Sequence, residues 1–86
     1  MPLKKKLIVK EAVLPEPKLG DCTKEGETYK IRISPNHYNE RSRLNTTVQE
    51  ALHAGDWDLT EKHIRHLTAY IVEVLWREGY RRKKSK

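Results

Sequence analysis

Two consecutive helical segments in the C-terminal half most strongly restrict the folds open to this chain. Asn39 is a favourable N-cap for a helix over residues 40 to 54, and Gly55 follows where a left-handed C-terminal residue is common. A second helix is predicted from its cap, Asp58, to about residue 78, with Gly79 ending it. Its expected apolar stripe consists of Ile64, Leu67, Ile71, Val74 and Leu75. We expect the two helices to pack against each other.

The N-terminal half is predicted to form a small sheet. Residues 3 to 9 are typical of a strand because three consecutive apolar residues, two of them β-branched, follow a run of lysines. Residues 29 to 34 alternate, with Tyr29, Ile31 and Ile33 on one side, which indicates a half-buried strand. Prolines and glycines interrupt residues 12 to 27 too often for a long element. We expect the two strands to pair antiparallel, so the predicted fold class is α+β: a small antiparallel β-hairpin or sheet followed by two packed α-helices.

The length and the cysteine usage bound the class of protein. A chain of 86 residues makes one domain, residues 1 to 86, with a thin core. Cys22 is the only cysteine, which excludes an internal disulfide and suits a reducing compartment. Lys10 ends the apolar run of residues 7 to 9, so we expect no signal peptide and no membrane span. The predicted location is the cytoplasm.

The positive charge lies at the two ends of the chain. The net charge is +6, but residues 1 to 10 and 77 to 86 together carry +9, and residues 11 to 76 carry −3. We expect residues 81 to 86 to form a disordered basic tail. Such ends either aid solubility or attract the phosphates of a nucleic acid without sequence specificity.

The first helix contains the segment Gln49-Glu50-Ala51-Leu52-His53. It differs at one position from His-Glu-x-x-His, in which two histidines bind zinc and the glutamate acts on the metal-bound water. Gln49 stands where the first histidine would be. Gln49 and His53 are four residues apart and share a helix face, with Glu50 to one side. Glu50 and His53 would also fit the polar surface of an ordinary amphipathic helix.

Three segments resemble a family of small zincin-like metallopeptidases that is common in phage and prophage genomes. They are residues 44–54, 56–61 and 74–81, with the sequences LNTTVQEALHA, DWDLTE and VLWREGYR. The resemblance covers roughly the C-terminal half of the chain. It implies a minimal zincin-like fold, a phage or prophage origin, and a sheet strand before the active helix, which the strand of residues 29 to 34 would supply.

The resemblance also implies site residues. In such families the first helix supplies two histidines, a glutamate acts as general base, and a later residue completes the zinc site. His53 matches the second histidine and Glu50 the general base, whereas Gln49 matches the first histidine without preserving it. The third ligand has no unambiguous match, and the candidates are Asp56, Asp58, Glu61 and His63. Glu61 is preferred because it falls at the start of the second helix, although it could equally be a capping carboxylate.

The residue at position 49 determines the expected activity. The neutral amide oxygen of glutamine is a poor substitute for an imidazole nitrogen as a zinc ligand. Even the loss of an outer-shell partner typically costs about 10- to 100-fold in affinity or activity. Without tightly held zinc, Glu50 has no activated water to deprotonate. We therefore expect zinc binding to be weak or absent, hydrolysis to be lost, and the fold to persist as a binding or structural module for an unknown protein partner.

Two other functions stay open. In the first, His53, Glu61 and another group such as His63 rebuild a working zinc site, and the chain is an active minimal metallopeptidase. In the second, the chain is a small nucleic-acid-associated protein that uses its basic ends, and the near-motif is incidental.

Overall fold

A computed structural model describes residues 5 to 83. Its elements, in chain order, are β1 (Lys6–Glu11), β2 (Gly20–Glu25), β3 (Thr28–Ile33), α1 (Glu40–Gly55) and α2 (Glu61–Arg77). The strands form one sheet in the order β1-β3-β2; α1 packs on β2 and β3, and α2 packs on α1. The predicted α+β class, a small sheet followed by two packed helices, is confirmed. Within the described part of the chain, no helix is both long and apolar enough to cross a membrane.

The central strand, β3, supplies the main core. Its buried residues are Tyr29, Ile31 and Ile33, and they cluster with Ala54 of α1 and with the partly buried Cys22 of β2. The residues between them are only partly buried, as the two-residue alternation predicts. The apolar side of β3 therefore fixes which face of the sheet α1 covers.

The direction of the first strand differs from the prediction. β1 runs parallel to β3, with Leu7 opposite Tyr29, so the expected antiparallel pairing is wrong. The reason is β2, which was not predicted. The chain reverses between β1 and β2, and it reverses again at the two-residue turn at Gly26 and Glu27, so β3 runs in the same direction as β1. Gly26 has a φ of 61°, a conformation that glycine adopts without strain.

Helix α1 begins as predicted and ends differently. The side chain of Asn39 accepts a hydrogen bond from the backbone N–H of Ser42 at 2.8 Å, which confirms the N-cap. Gly55 is part of the helix and is not left-handed, so that expectation is wrong. The helical bonding continues to Asp56, whose N–H donates to the carbonyl of Leu52, and the chain then leaves in an extended conformation.

The N-cap of α2 is Thr60 and not Asp58. The Thr60 hydroxyl accepts a hydrogen bond from the backbone N–H of His63 at 3.2 Å. Asp58 lies in the connecting loop, where its own N–H donates to the side chain of Asp56 at 3.2 Å. This local turn delays the start of the helix by two residues. At the other end, Gly79 has a φ of 87°, in agreement with the predicted stop.

The face of α2 that is buried differs from the predicted stripe. The buried residues are Ile64, Thr68 and Val72, which follow each other at intervals of four. Three members of the predicted stripe are exposed instead, namely Leu67, Ile71 and Val74. The prediction located the apolar residues but could not tell which side of them α1 would cover.

The C-terminal end of the described chain returns to the helices. The guanidinium carbon of Arg81 lies 3.3 Å from the ring centroid of Trp76, which is a cation–π contact. Arg82 donates a hydrogen bond to Glu40 of α1 at 2.9 Å. Both arginines belong to the predicted disordered tail, of which residues 84 to 86 lie outside the described residues. Disorder of that tail stays a prediction.

Candidate functional site

Strand β2 approaches α1 closely at Gly20. A Cβ atom on Gly20 would lie 2.5 Å from Cγ2 of Thr46 and 3.3 Å from Cγ of Glu50. Because glycine has no Cβ, the strand can pass directly beside the helix. This approach brings Glu50, the residue that the near-motif singles out, against the beginning of β2.

A cleft opens where β2, α1 and the connection between the helices meet. Its volume is about 460 Å³. The residues that line it come from all three parts and are Gly20, Asp21, Cys22, Glu50, His53, Trp57 and Leu59. Two of the predicted site residues, Glu50 and His53, therefore share one concave surface.

His53 and Glu61 are in direct contact. Nε2 of His53 lies 3.0 Å from Oε1 of Glu61. His53 stands in the last turn of α1, and Glu61 is the first residue of α2, so the contact joins the two helices at the point where the chain reverses. The structure thus brings together the matched histidine and the preferred third ligand, which are eight positions apart in the sequence.

The electrostatic environment of the cleft disfavours ionisation of Glu50. Burial raises the pKa of the Glu50 carboxyl above its ordinary value; the charge of His53 opposes this shift, and the nearby Asp21 and Glu61 add to it. Burial, followed by the charges of Glu50 and Asp21, also raises the pKa of the Cys22 thiol. A carboxyl with a raised pKa in a cleft is typical of functional sites, whereas a thiol with a raised pKa is a poor nucleophile.

The remaining ligand candidates do not join this cluster. His63 is exposed, and its Nδ1 lies 3.0 Å from the Thr60 hydroxyl at the start of α2. Asp56 and Asp58 are exposed in the connecting loop and bond to each other. Gln49 is partly buried on α1. Among residues 5 to 83, no three His, Cys, Asp or Glu side chains are grouped so that they could hold a metal ion. The donor set therefore does not fit a three-ligand zinc centre.

The contribution of β2 to the cleft was missed by the sequence reasoning. Asp21 is buried, and its carboxylate accepts a hydrogen bond from Nε of Arg32 at 2.9 Å. That bond lowers the pKa of Asp21 despite burial, so the cleft holds one carboxyl that ionises easily and one that does not. The segment from 20 to 25 is polar and short, and its only signal was the glycine that permits close packing.

Among residues 5 to 83, no other strand pairs with the outer edge of β2. The backbone N–H of Ser34 donates to the carbonyl of Leu19 at 2.9 Å. The backbone groups of Leu19 therefore point toward the chain that leaves β3, and the register of the two strands continues this pattern along β2. In an antiparallel ladder the alternate residues, here Gly20, Cys22 and Lys24, direct their backbone groups away from the partner strand. The edge next to the cleft thus presents a row of backbone donors and acceptors.

No protein-family model, no curated protein and no solved structure matches this chain. What can be said of its function therefore rests on its own residues and their geometry.

Proposed function

We propose that this chain is a zincin-like domain of phage or prophage type that has lost hydrolytic activity and acts in the cytoplasm as a binding module for an extended protein segment. The observation that carries the proposal is the contact between His53 and Glu61 beside the cleft that Glu50 lines. In the sequence motif, Gln49 takes the place of the first histidine. The lone free cysteine, Cys22, is in keeping with a reducing compartment.

The chemistry of this cluster favours loss of activity over an active site. A catalytic zinc site needs three protein ligands and an open position for water. Here His53 and Glu61 are paired with each other, and Gln49, which replaces the first histidine of the motif, does not line the cleft. Glu50 is left with a raised pKa and with no metal-activated water to deprotonate.

The ligand class follows from the neighbouring strand edge. An extended peptide can add to a free edge through backbone hydrogen bonds, while adjacent pockets receive alternate side chains. The β2 edge provides the backbone groups of Cys22 and Lys24, and the cleft beside it provides the carboxylates of Asp21 and Glu50. Asp21 is already paired with Arg32 and Lys18. The part of the cleft open to a ligand side chain is therefore formed by Glu50, His53 and Trp57.

Calorimetric titration with zinc tests the state of the metal site. We expect no micromolar binding to the wild-type chain and a clear gain in Gln49→His, with Gln49→Ala as the control for loss of the amide. The gain should disappear in Gln49→His combined with His53→Ala. Micromolar binding by the wild type that His53→Ala abolishes would establish a working metal site, and no gain in Gln49→His would contradict the zincin-like assignment.

Peptide selection from a random display library tests the binding role. Selected peptides should bind the wild type and Lys24→Ala alike, because both keep the outward backbone N–H at that position. Lys24→Pro removes that N–H on an edge strand, where proline is tolerated, and should weaken binding. Equal binding by the proline and alanine variants would reject strand addition at β2.

One observation favours nucleic acid as a second candidate partner. The sheet face opposite the helices carries Lys6 and Lys10 on β1, next to Lys30 and Arg32 on β3. Lys30 and Arg32 are paired with Glu25 and Asp21, which leaves the β1 lysines as the main phosphate contacts. Binding to duplex DNA should then fall steeply with salt and be lost when both β1 lysines are changed to glutamate.

A further inference from the structure

Helix α2 carries an exposed apolar face beside the face that packs on α1. The four residues of this face, called the outer stripe below, are Leu67, Tyr70, Ile71 and Val74, with exposed fractions of 38%, 66%, 36% and 59%. The adjoining face of the helix holds Ile64, Thr68 and Val72, which are buried. Within the described residues, α2 packs on α1 through that face, and its apolar surface continues beside it into the exposed outer stripe.

The spacing of the outer stripe is that of a helix-packing surface. Its members stand at positions i, i+3, i+4 and i+7, which lie on one side of a helix over two turns. Scattered exposed apolar residues are normal on a protein surface, but a contiguous stripe of this kind marks an interaction site. Ridges at such spacing pack into the grooves of a second helix.

Polar side chains at the two ends of the outer stripe select the partner. His63 lies four residues before Leu67, Glu78 lies four residues after Val74, and both are exposed. The ring of His63 uses Nδ1 at Thr60, which leaves Nε2 to face outward. Two copies of α2 that pair antiparallel, with the symmetry axis between Tyr70 and Ile71, set His63 of each copy against Glu78 of the other. A parallel arrangement would set each residue against its own copy.

We propose that the protein associates into an antiparallel dimer through the outer stripe, with a second copy of the chain as the occupant. The interface is isologous, so each contact occurs twice. The largest apolar patch of a typical monomer covers about 300 to 600 Å². A patch of four side chains is of that order and below the roughly 800 Å² per partner of a stable interface, so the dimer is weak and depends on concentration. The dimer is independent of the function proposed for the cleft.

Sedimentation equilibrium over about 10 µM to 1 mM, the range expected for a small interface, tests the proposal. The wild type should show a monomer–dimer equilibrium. Val74→Glu should raise the dissociation constant at least about tenfold, because it buries an unpaired charge opposite Leu67 of the other copy. Val13→Glu is the matched control, since it makes the same change at an apolar residue that is 76% exposed and lies outside α2, and it should leave the equilibrium unchanged.

Charge reversal tests the antiparallel orientation. His63→Glu and Glu78→Lys should each weaken the dimer, because each sets like charges or unpaired groups at both ends of the stripe. The double variant, His63→Glu with Glu78→Lys, places opposite charges across the axis, and its association should be as strong as that of the wild type or stronger. A wild type that stays monomeric at all concentrations refutes the proposal. A dimer that survives Val74→Glu and is lost in Val9→Glu refutes it as well, since it would place the interface at the β1 edge.

Discussion

The close passage of β2 beside α1 predicts that the smallest possible side chain at position 20 will destabilise the protein. In Gly20→Ala the new Cβ would lie 2.5 Å from Cγ2 of Thr46, a separation that real Cβ atoms essentially never show. Thr46 cannot easily move away, because it is buried and its hydroxyl lies 2.9 Å from Nε2 of His37. The strand or the helix must therefore shift.

The size of the stability loss in Gly20→Ala follows from two opposing effects. Overpacking a filled interior costs about 1 to 3 kcal/mol. A glycine-to-alanine change also reduces the entropy of the unfolded chain, which offsets about 0.4 to 1 kcal/mol. The φ of Gly20 is not positive, so alanine brings no backbone strain. We expect a net loss of about 1 to 2 kcal/mol in the free energy of unfolding, with the melting temperature lowered by about 4 to 8 °C per kcal/mol for a domain of this size.

A compensating variant isolates the cause. Thr46→Ser removes the Cγ2 methyl and keeps the hydroxyl, so in combination with Gly20→Ala it should recover most of the lost stability in a denaturant titration. Gly55→Ala is the control: it adds a Cβ with no neighbour within 4 Å and should be neutral or stabilising by about 0.5 to 1 kcal/mol. A Gly20→Ala protein as stable as the wild type, or an unchanged loss in the double variant, would refute the proposed steric cause.

Two further predictions concern Glu50 and the start of α2. The raised pKa of Glu50 means that the folded state holds the carboxyl proton more tightly than the unfolded state does. The contribution of Glu50 to stability therefore falls as pH rises from the ordinary pKa of 4.5 through the folded pKa. Glu50→Gln should therefore be more stable than the wild type in urea titrations at pH 7 and equal to it at pH 3.5; equal stability at both would contradict burial as the cause. Thr60→Ala should cost about 0.5 to 2 kcal/mol through loss of the cap, whereas Asp58→Ala should cost little, and the reverse order would restore Asp58 as the cap.

The parts of the fold that sequence reasoning recovered are those set by local signals. The alternation of Tyr29, Ile31 and Ile33 predicted both the strand and its buried side, because the two-residue period is a property of the strand itself. Asn39 predicted the start of α1, because a capping side chain bonds to N–H groups only a few residues away. In each case the interaction is complete within one element.

The parts that could not be predicted depend on partners distant in the sequence. β1 is parallel to β3 because β2 adds a second chain reversal between them, and nothing in residues 6 to 11 indicates that extra strand. The buried side of α2 likewise depends on where α1 lies. Apolar residues cover more than half of the circumference of α2, so the sequence alone could not show which of them are buried, and the predicted stripe was wrong. Of the site, Glu50, His53 and Glu61 could be selected from the sequence, but the role of Asp21 depends on a strand that was not foreseen.

The pairing of His53 with Glu61 bears on our proposal that this chain is a zincin-like domain without a metal. Loss of a bound cation would leave the partly buried His53 without a partner, at a cost in stability, whereas the exposed Glu61 carboxylate would be solvated. Here the two groups satisfy each other, and Glu61 also lies in the first turn of α2, where the helix dipole favours a negative charge. A zinc ion that binds the Gln49→His variant must therefore break the contact between His53 and Glu61 before it can bind either side chain. Glu61→Gln in that background keeps the shape and removes the charge, and it should weaken zinc binding further if Glu61 is the third ligand. Unchanged binding would assign Glu61 to the cap region of α2 alone.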